Sequence, residues 1–258
     1  MTTGAQSSAT AAATTPSDNV VVSFTFDDAR SSQYGVLPVF GAHGMRATFY
    51  VNTGLMGTTG IMSWAQLHDI ADAGHEIGGH TVSHTGLTEV NEATARAEIQ
   101  GDITNLQAHG FPRPISFAYP YGYYGPPEEG YVRDAGYASA RTTDIYTREQ
   151  IPPADPYALR MIRPGFDGSD GLAALQQDVI SAEAAPGTTW LIYLMHDFYS
   201  PINDEIADFL AWLEPRAANG TVVKTMGEVL SSTPTNQPPV ASAGSAQTVS
   251  AGSTVQLD

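Results

Sequence analysis

The 258-residue chain is 42% hydrophobic and carries 27 acidic against 11 basic side chains, a formal net charge of −16, with Lys224 its sole lysine. Long-range repulsion of that sign argues against nucleic acid, anionic lipid and polyanionic glycans as partners and leaves neutral or cationic substrates open. The absence of cysteine excludes disulfides, thiolate chemistry and cysteine-based zinc sites, so any metal must be held by histidine and carboxylate.

Residues 1–19 are rich in Ala, Thr and Ser, lack the basic start and apolar core of a signal peptide, and read as a flexible N-terminal linker. From Val20 the chain repeats one grammar, in which a helical stretch ends on a glycine and a β-branched or aromatic run follows. The joins fall at Gly44, Gly74, Gly110, Gly136 and Gly220. Glycine just past a helix takes the left-handed conformation that closes it, and five such joins predict αβ alternation and a parallel sheet. Strands are predicted at 20–26, 47–52, 75–79, 115–119, 138–141, 159–163, 189–195 and 221–225. Eight is the number for a closed β/α barrel, with an open doubly wound sheet as the alternative architecture. Ser63 and Gln66 have capping-box spacing ahead of a helix that Gly74 stops. Ile206, Phe209, Leu210 and Leu213 form one apolar stripe between 203 and 219, the core face of a later helix. No apolar run is long enough to span a bilayer. After residue 231 the pattern changes: a turn-rich linker leads into short alternating segments over 232–258 that resemble the opening strands of an immunoglobulin-like PKD module, too short to complete one.

Polar residues gather where the predicted strands end, which is where both α/β architectures place functional groups. Asp27 and Asp28 follow the first strand, His80 and His84 the third, Tyr119 to Tyr121 the fourth, and His196 the strand at 189–195. Adjacent carboxylates repel, so the aspartate pair points to a cation or to acid/base work, a solvated turn being the alternative. On a helical turn, the spacing of His80 and His84 would put both imidazoles on one side, where a carboxylate could complete a three-ligand metal site with an open position. His43 and His109 precede helix-ending glycines, where an imidazole meets the helix C-terminus favourably; these two, His68 in a helix and His75 at a strand start are read as structural. Tyr119, Tyr121, Tyr123 and Tyr124 are either sugar-stacking rings or loop filler.

TFDDAR at 25–30, HTVSH at 80–84, AYPYG at 118–122 and LMH at 194–196 together resemble the motifs of polysaccharide deacetylases with a NodB homology domain, carbohydrate esterase family 4. The resemblance covers 20–231 and implies a distorted (β/α) barrel. It further implies a secreted, monomeric, metal-dependent hydrolase that removes N-acetyl groups from N-acetylglucosamine-containing glycans such as chitin, chitooligosaccharide or peptidoglycan, releasing acetate. An O-acetyl esterase acting on acetylxylan is the alternative, and a binding module that has lost catalysis is a third. Carried over by position, the resemblance makes Asp27 the general base and His196 the general acid. Asp28, His80 and His84 become ligands of a divalent metal, zinc first with cobalt or nickel as alternatives, and Tyr121 offers its backbone N–H to the oxyanion. Three departures stand out. Ala118 occupies the place of the arginine that usually steadies the base, which must come from elsewhere or be missing; Arg160 and Arg163 are candidates, with a surface ion pair as the alternative reading of each. Ala29 replaces a glycine, and no Asp-Trp segment is evident to orient His196, leaving Asp144 or Asp167.

Overall fold

A computed structural model describes residues 18–146, 148–164, 171–198 and 202–232. The chain runs β1 (Val20–Phe26), α1 (Val36–Ala42), β2 (Thr48–Val51), α2 (Trp64–Asp72), β3 (Glu76–Gly79), α3 (Glu92–Ala108), β4 (Ser116–Ala118), α4 (Pro126–Asp134) and β5 (Ser139–Ile145). There follow β6 (Glu149–Gln150), β7 (Leu159–Met161), β8 (Arg163–Pro164), α5 (Gly171–Glu183), β9 (Thr189–Met195), α6 (Ile202–Leu213), β10 (Thr221–Val223) and α7 (Met226–Ser232).

All eight predicted strands are present, and they form a nearly closed, barrel-like mixed sheet with helices outside, ordered β6-β9-β1-β2-β3-β4-β5-β7. Closure comes from the stretch predicted as one strand at 159–163. It divides because its neighbour changes: β7 pairs β5, and β8 then pairs β9 in parallel. Two strands share their edges in halves, which is the distortion. On one side of β1 the first half pairs β10 and the last two residues pair β2, while β9 runs in register along its whole length on the other side. β9 in turn takes the antiparallel β6 at its start and β8 near its end. The short β6 carries no apolar periodicity to announce it, so the sequence reading missed it.

The five glycine joins all have positive φ, from 61° at Gly44 to 88° at Gly74 and Gly136, and the capping box of α2 forms with Ser63 and Gln66 exchanging both bonds. Every residue of β1 is buried because both its faces are covered. Val20, Val22, Phe24 and Phe26 face the helical layer, where Phe40, Phe209 and Leu210 pack on them, and Ile206 and Leu213 complete the predicted stripe of α6. Burying one such phenylalanine contributes about 1.5–3 kcal/mol. The alternate set begins at Val21, which packs with Tyr50 and Trp190. It continues through Ser23, which accepts the Trp190 indole N–H at 2.9 Å, and through Thr25 to Asp27. With a period of two, Asp27 is the last member of the inward face. Residues 1–17 and 233–258, with most of the expected linker and PKD-like segment, lie outside the described residues, as does Asp167.

Candidate active site

Three side chains converge where β1 and β3 end. The Nε2 atoms of His84 and His80 lie 3.2 Å and 3.5 Å from Asp28 Oδ1, and one donor atom from each residue falls within 4.8 Å of the others. Among the described residues this is the sole grouping of its kind. The His80 ring donates its Nδ1–H to the Ala118 carbonyl at 2.7 Å, which fixes the tautomer and leaves Nε2 as a lone pair aimed inward. Asp28 Oδ1 is buried without a hydrogen bond. Lone pairs converging on one point repel unless a cation sits between them, so the donor set fits a divalent metal of the type held by histidine and carboxylate. Burial alone would push the Asp28 carboxyl up; imidazole N–H groups turned toward it in place of lone pairs would outweigh that and hold it far below the usual carboxylate range.

The histidines do not sit on a helical turn, contrary to the spacing argument. Residues 80–84 form an irregular loop, with Thr81 at φ 69° and His84 at φ 61°; the left-handed residues turn both rings to one side. Asp28, Ala29 and Tyr121 also have positive φ, at 73°, 53° and 59°. These five are all the non-glycine residues of that kind among the described residues, and each lies in one of the three site loops. Left-handed backbone costs such residues of order 1–3 kcal/mol each, and strain of this sort collects at functional sites. It also explains Ala29: glycine is the easier residue there, and alanine is held by burial and by its carbonyl, which accepts the Met62 N–H at 2.8 Å.

Beneath the loop, Asp102 on α3 accepts the His80 N–H at 3.0 Å and the Thr53 N–H at 3.2 Å. Burial pushes its carboxyl up to about 8 against the pull of those donors. Gly78 and Gly79 admit close neighbours: a Cβ on Gly79 would stand 2.0 Å from the Tyr137 hydroxyl.

Asp27 is only 3% exposed, and Arg141 on β5, fully buried, donates from Nη2 to both its carboxylate oxygens. This corrects the expectation for the missing arginine. Arg160 is held instead by Glu149, at 2.6 Å from Nε, and the Arg163 side chain is not among those described. Arg141 is available because β4 and β5 pair Ala118 with Arg141, so a guanidinium one strand over reaches the mouth that Ala118 leaves open. Asp144 accepts the Tyr124 hydroxyl at 2.9 Å.

His196 is exposed and follows β9 directly beside Asp27, since Phe26 pairs with Met195 and the Asp27 N–H donates to the Met195 carbonyl. The tyrosine cluster divides. Tyr119 is buried, stacks on Tyr124 and donates to the Tyr157 carbonyl, whereas Tyr121 and Tyr123 are 55% and 48% exposed, with the Tyr121 ring 4.4 Å from that of His84. The other histidines are structural: His43 pairs with Glu214, His109 bonds the Asn105 carbonyl and stacks on Trp64, His68 stacks on Phe111, and His75 accepts the Ala47 N–H.

An α/β barrel whose strand ends hold a two-histidine, one-aspartate cluster beside a buried aspartate–arginine pair has the layout of a metal-site hydrolase. The chain matches the family model for polysaccharide deacetylase over residues 14–140, just under half of its length. It is 28% identical over 160 residues to a putative polysaccharide deacetylase, YxkH, of Bacillus subtilis, covering 60% of this chain and 55% of that protein. It is 29% identical over 164 residues to a probable peptidoglycan-N-acetylglucosamine deacetylase of Arthroderma benhamiae, covering 61% of this chain and 37% of that protein. The chain thus spans about half or less of the length of these relatives. Its fold matches that of a family 4 acetyl xylan esterase from Clostridium thermocellum in complex with cobalt, with a TM-score of 0.57, 20% identity and coverage of 82% of this chain and 90% of that one.

Proposed function

We propose that the protein is a secreted, metal-dependent deacetylase that hydrolyses the N-acetyl groups of N-acetylglucosamine-containing glycans, acting as a monomer with zinc, or with cobalt or nickel in its place. The observation that carries the reading is the convergence of Asp28 Oδ1 and the two imidazole Nε2 atoms on one point, a cluster beside a buried carboxylate held by arginine. A neutral acetylated glycan also suits a surface of net charge −16, and the Arthroderma relative is named for such a substrate.

Asp28, His80 and His84 would hold the metal, which when bound polarises the acetyl carbonyl and makes water easier to deprotonate. Asp27 accepts the proton of the attacking water; Arg141 occupies one lone pair on each of its oxygens and leaves the others facing the mouth. The backbone N–H of Tyr121 donates to the oxyanion that develops on the acetyl oxygen. His196 gives a proton to the nitrogen as the C–N bond breaks, so the products are acetate and a free amine. Amide cleavage needs that donor because an amide anion is too poor a leaving group to depart unprotonated.

The test is acetate release from chitooligosaccharide and from acetylxylan with added zinc or cobalt, before and after a strong chelator. Release from chitooligosaccharide, lost on chelation and restored by metal, is expected, with Asp27→Asn lowering turnover by about 100-fold or more. Undiminished turnover in Asp27→Asn removes the base assignment, and release from acetylxylan alone moves the activity to esters.

A further inference from the structure

We infer that Gln33 is a positioning residue that bolts the backbone of Asp27 to that of His196; this rests on the roles proposed for those two residues. Gln33 lies in the 3₁₀ turn Ser31–Gly35 and is fully buried. Its side-chain Nε2 donates to the Asp27 carbonyl at 2.5 Å and to the His196 carbonyl at 2.7 Å. Two carbonyl acceptors leave no doubt which end of the amide faces them.

The place of these bonds in the sheet gives them their meaning. β1 and β9 pair in register from Val20–Thr189 to Phe26–Met195, and the Asp27 N–H to the Met195 carbonyl, at 2.9 Å, is the last rung. Beyond it the chain turns away through two left-handed residues, Asp28 and Ala29. The Asp27 and His196 carbonyls stand where the ladder stops, and one amide group satisfies both. Buried carbonyls need donors, but any two donors would meet that need; a single NH₂ shared between them also fixes the separation of the two strand ends. The same turn grips the segment after His196 twice more. Ser32 donates to Asp197 at 3.1 Å and accepts the Phe198 N–H at 3.3 Å, and Gly35 packs against the Phe198 ring, where a Cβ would stand 3.3 Å from it. Gln33 Oε1 is buried without a partner, so the amide is present for its donors.

Hydrolysis requires Asp27 to take a proton and His196 to give one on either side of a single C–N bond, and small displacements of either strand end degrade that geometry. Gln33 hydrogen-bonds no side chain of the metal-site cluster; the Asp27 carbonyl it holds belongs to the peptide unit that leads into Asp28, whose own carboxylate is held by Arg30 at 3.1 Å. Its loss therefore lowers kcat well beyond any change in KM or metal affinity.

The experiment compares wild type, Gln33→Met and Gln33→Glu by acetate release from chitooligosaccharide, zinc affinity against a chromophoric chelator, and thermal unfolding. Methionine fills the space without donors, and glutamate keeps the shape but turns a donor pair into acceptors. The expected result is a kcat at least 10-fold lower in both, lower in Gln33→Glu than in Gln33→Met, with KM and zinc affinity within about threefold of wild type. A kcat for Gln33→Met within twofold of wild type overturns the inference, as does a parallel fall in zinc affinity or failure of both variants to fold, each of which makes Gln33 a general structural residue. Wild-type protein that releases no acetate from any substrate overturns the proposed function, and the positioning role with it, whatever the variants do.

Discussion

Replacing Arg141 with methionine tests the centre of the reasoning, because it removes one partner of a fully buried ion pair while roughly keeping the volume. The guanidinium donates to both Asp27 oxygens and, from Nη1, to the Thr142 carbonyl at 3.0 Å, and its Cζ lies 5.4 Å from the Tyr50 ring centroid. Asp27, 3% exposed, would be left without a charge partner in a site that water barely reaches. Breaking a buried pair from one side costs about 3–5 kcal/mol, far more than an exposed pair is worth. Domains of this size hold about 5–15 kcal/mol in all, and each kcal/mol moves the midpoint by about 2–4 °C, so the variant should unfold about 6–20 °C below wild type. Asp27→Asn combined with Arg141→Met should cost less than the sum of the single changes, by about 0.5–3 kcal/mol. Urea unfolding of the four proteins measures all of this. A midpoint for Arg141→Met within about 1 kcal/mol of wild type, or strict additivity in the cycle, would refute the pairing.

Two further predictions concern the scaffold. His75 is 6% exposed, accepts the Ala47 N–H, and packs edge-on between Phe40 and Phe49; burial, with the charge of Arg46, brings its pKa down from 6.5 to about 4. The folded state binds that proton less readily than the unfolded chain, so the contribution is whole above pH 6.5 and is lost as pH falls toward 4, to about 3 kcal/mol; His75→Asn should flatten that part of the stability–pH curve, and an unchanged slope between pH 6.5 and 4 would count against it. Gly79→Ala puts a Cβ 2.0 Å from the Tyr137 hydroxyl and 3.0 Å from Asp102 Oδ2, so it should cost about 1–3 kcal/mol and weaken zinc binding by disturbing the residue before His80; wild-type values for both in unfolding and chelator competition would show that the packing is looser than the structure has it.

The scaffold was legible because its rules are local. A glycine after a helix and a run of β-formers after the glycine each act within a few residues, and all five joins and all eight strands came from such signals. Local signals failed where a neighbour decides the outcome. β7 and β8 differ only in which strand each meets, and the short β6 exists because β9 has an edge there. Arg141 was missed for the same reason. In sequence it is a charged residue at the end of a strand, 114 positions from Asp27, and nothing local separates it from Arg160, which pairs instead with the buried Glu149. What does separate them is register: Arg141 is opposite Ala118, the small residue standing where the arginine was expected. An absent side chain on one strand was thus a clue to a present one on the next, usable only once the pairing was known.

The metal-site residues were found by type and spacing for a geometry they do not adopt. Four residues apart suggested a helical turn, and the structure reaches the same convergence through Thr81 and His84 in left-handed backbone. A helix would have presented the imidazoles without strain, but it would also have carried the chain along its axis. The loop instead lets His80 finish β3 with its ring on the Ala118 carbonyl, while His84 turns back toward Asp28 from outside. Asp28 and Tyr121 meet the cluster by the same device, each a side chain turned by a residue that prefers another conformation. Natural sequences agree with their folds at every level except where function demands a conflict. Here the five strained residues among those described fall in one place, and the buried Asp28 Oδ1, without a hydrogen bond, lies among them. That clustering of strain identifies the site independently of any motif, because a barrel built for stability alone would have had no reason to concentrate left-handed backbone at the ends of β1, β3 and β4.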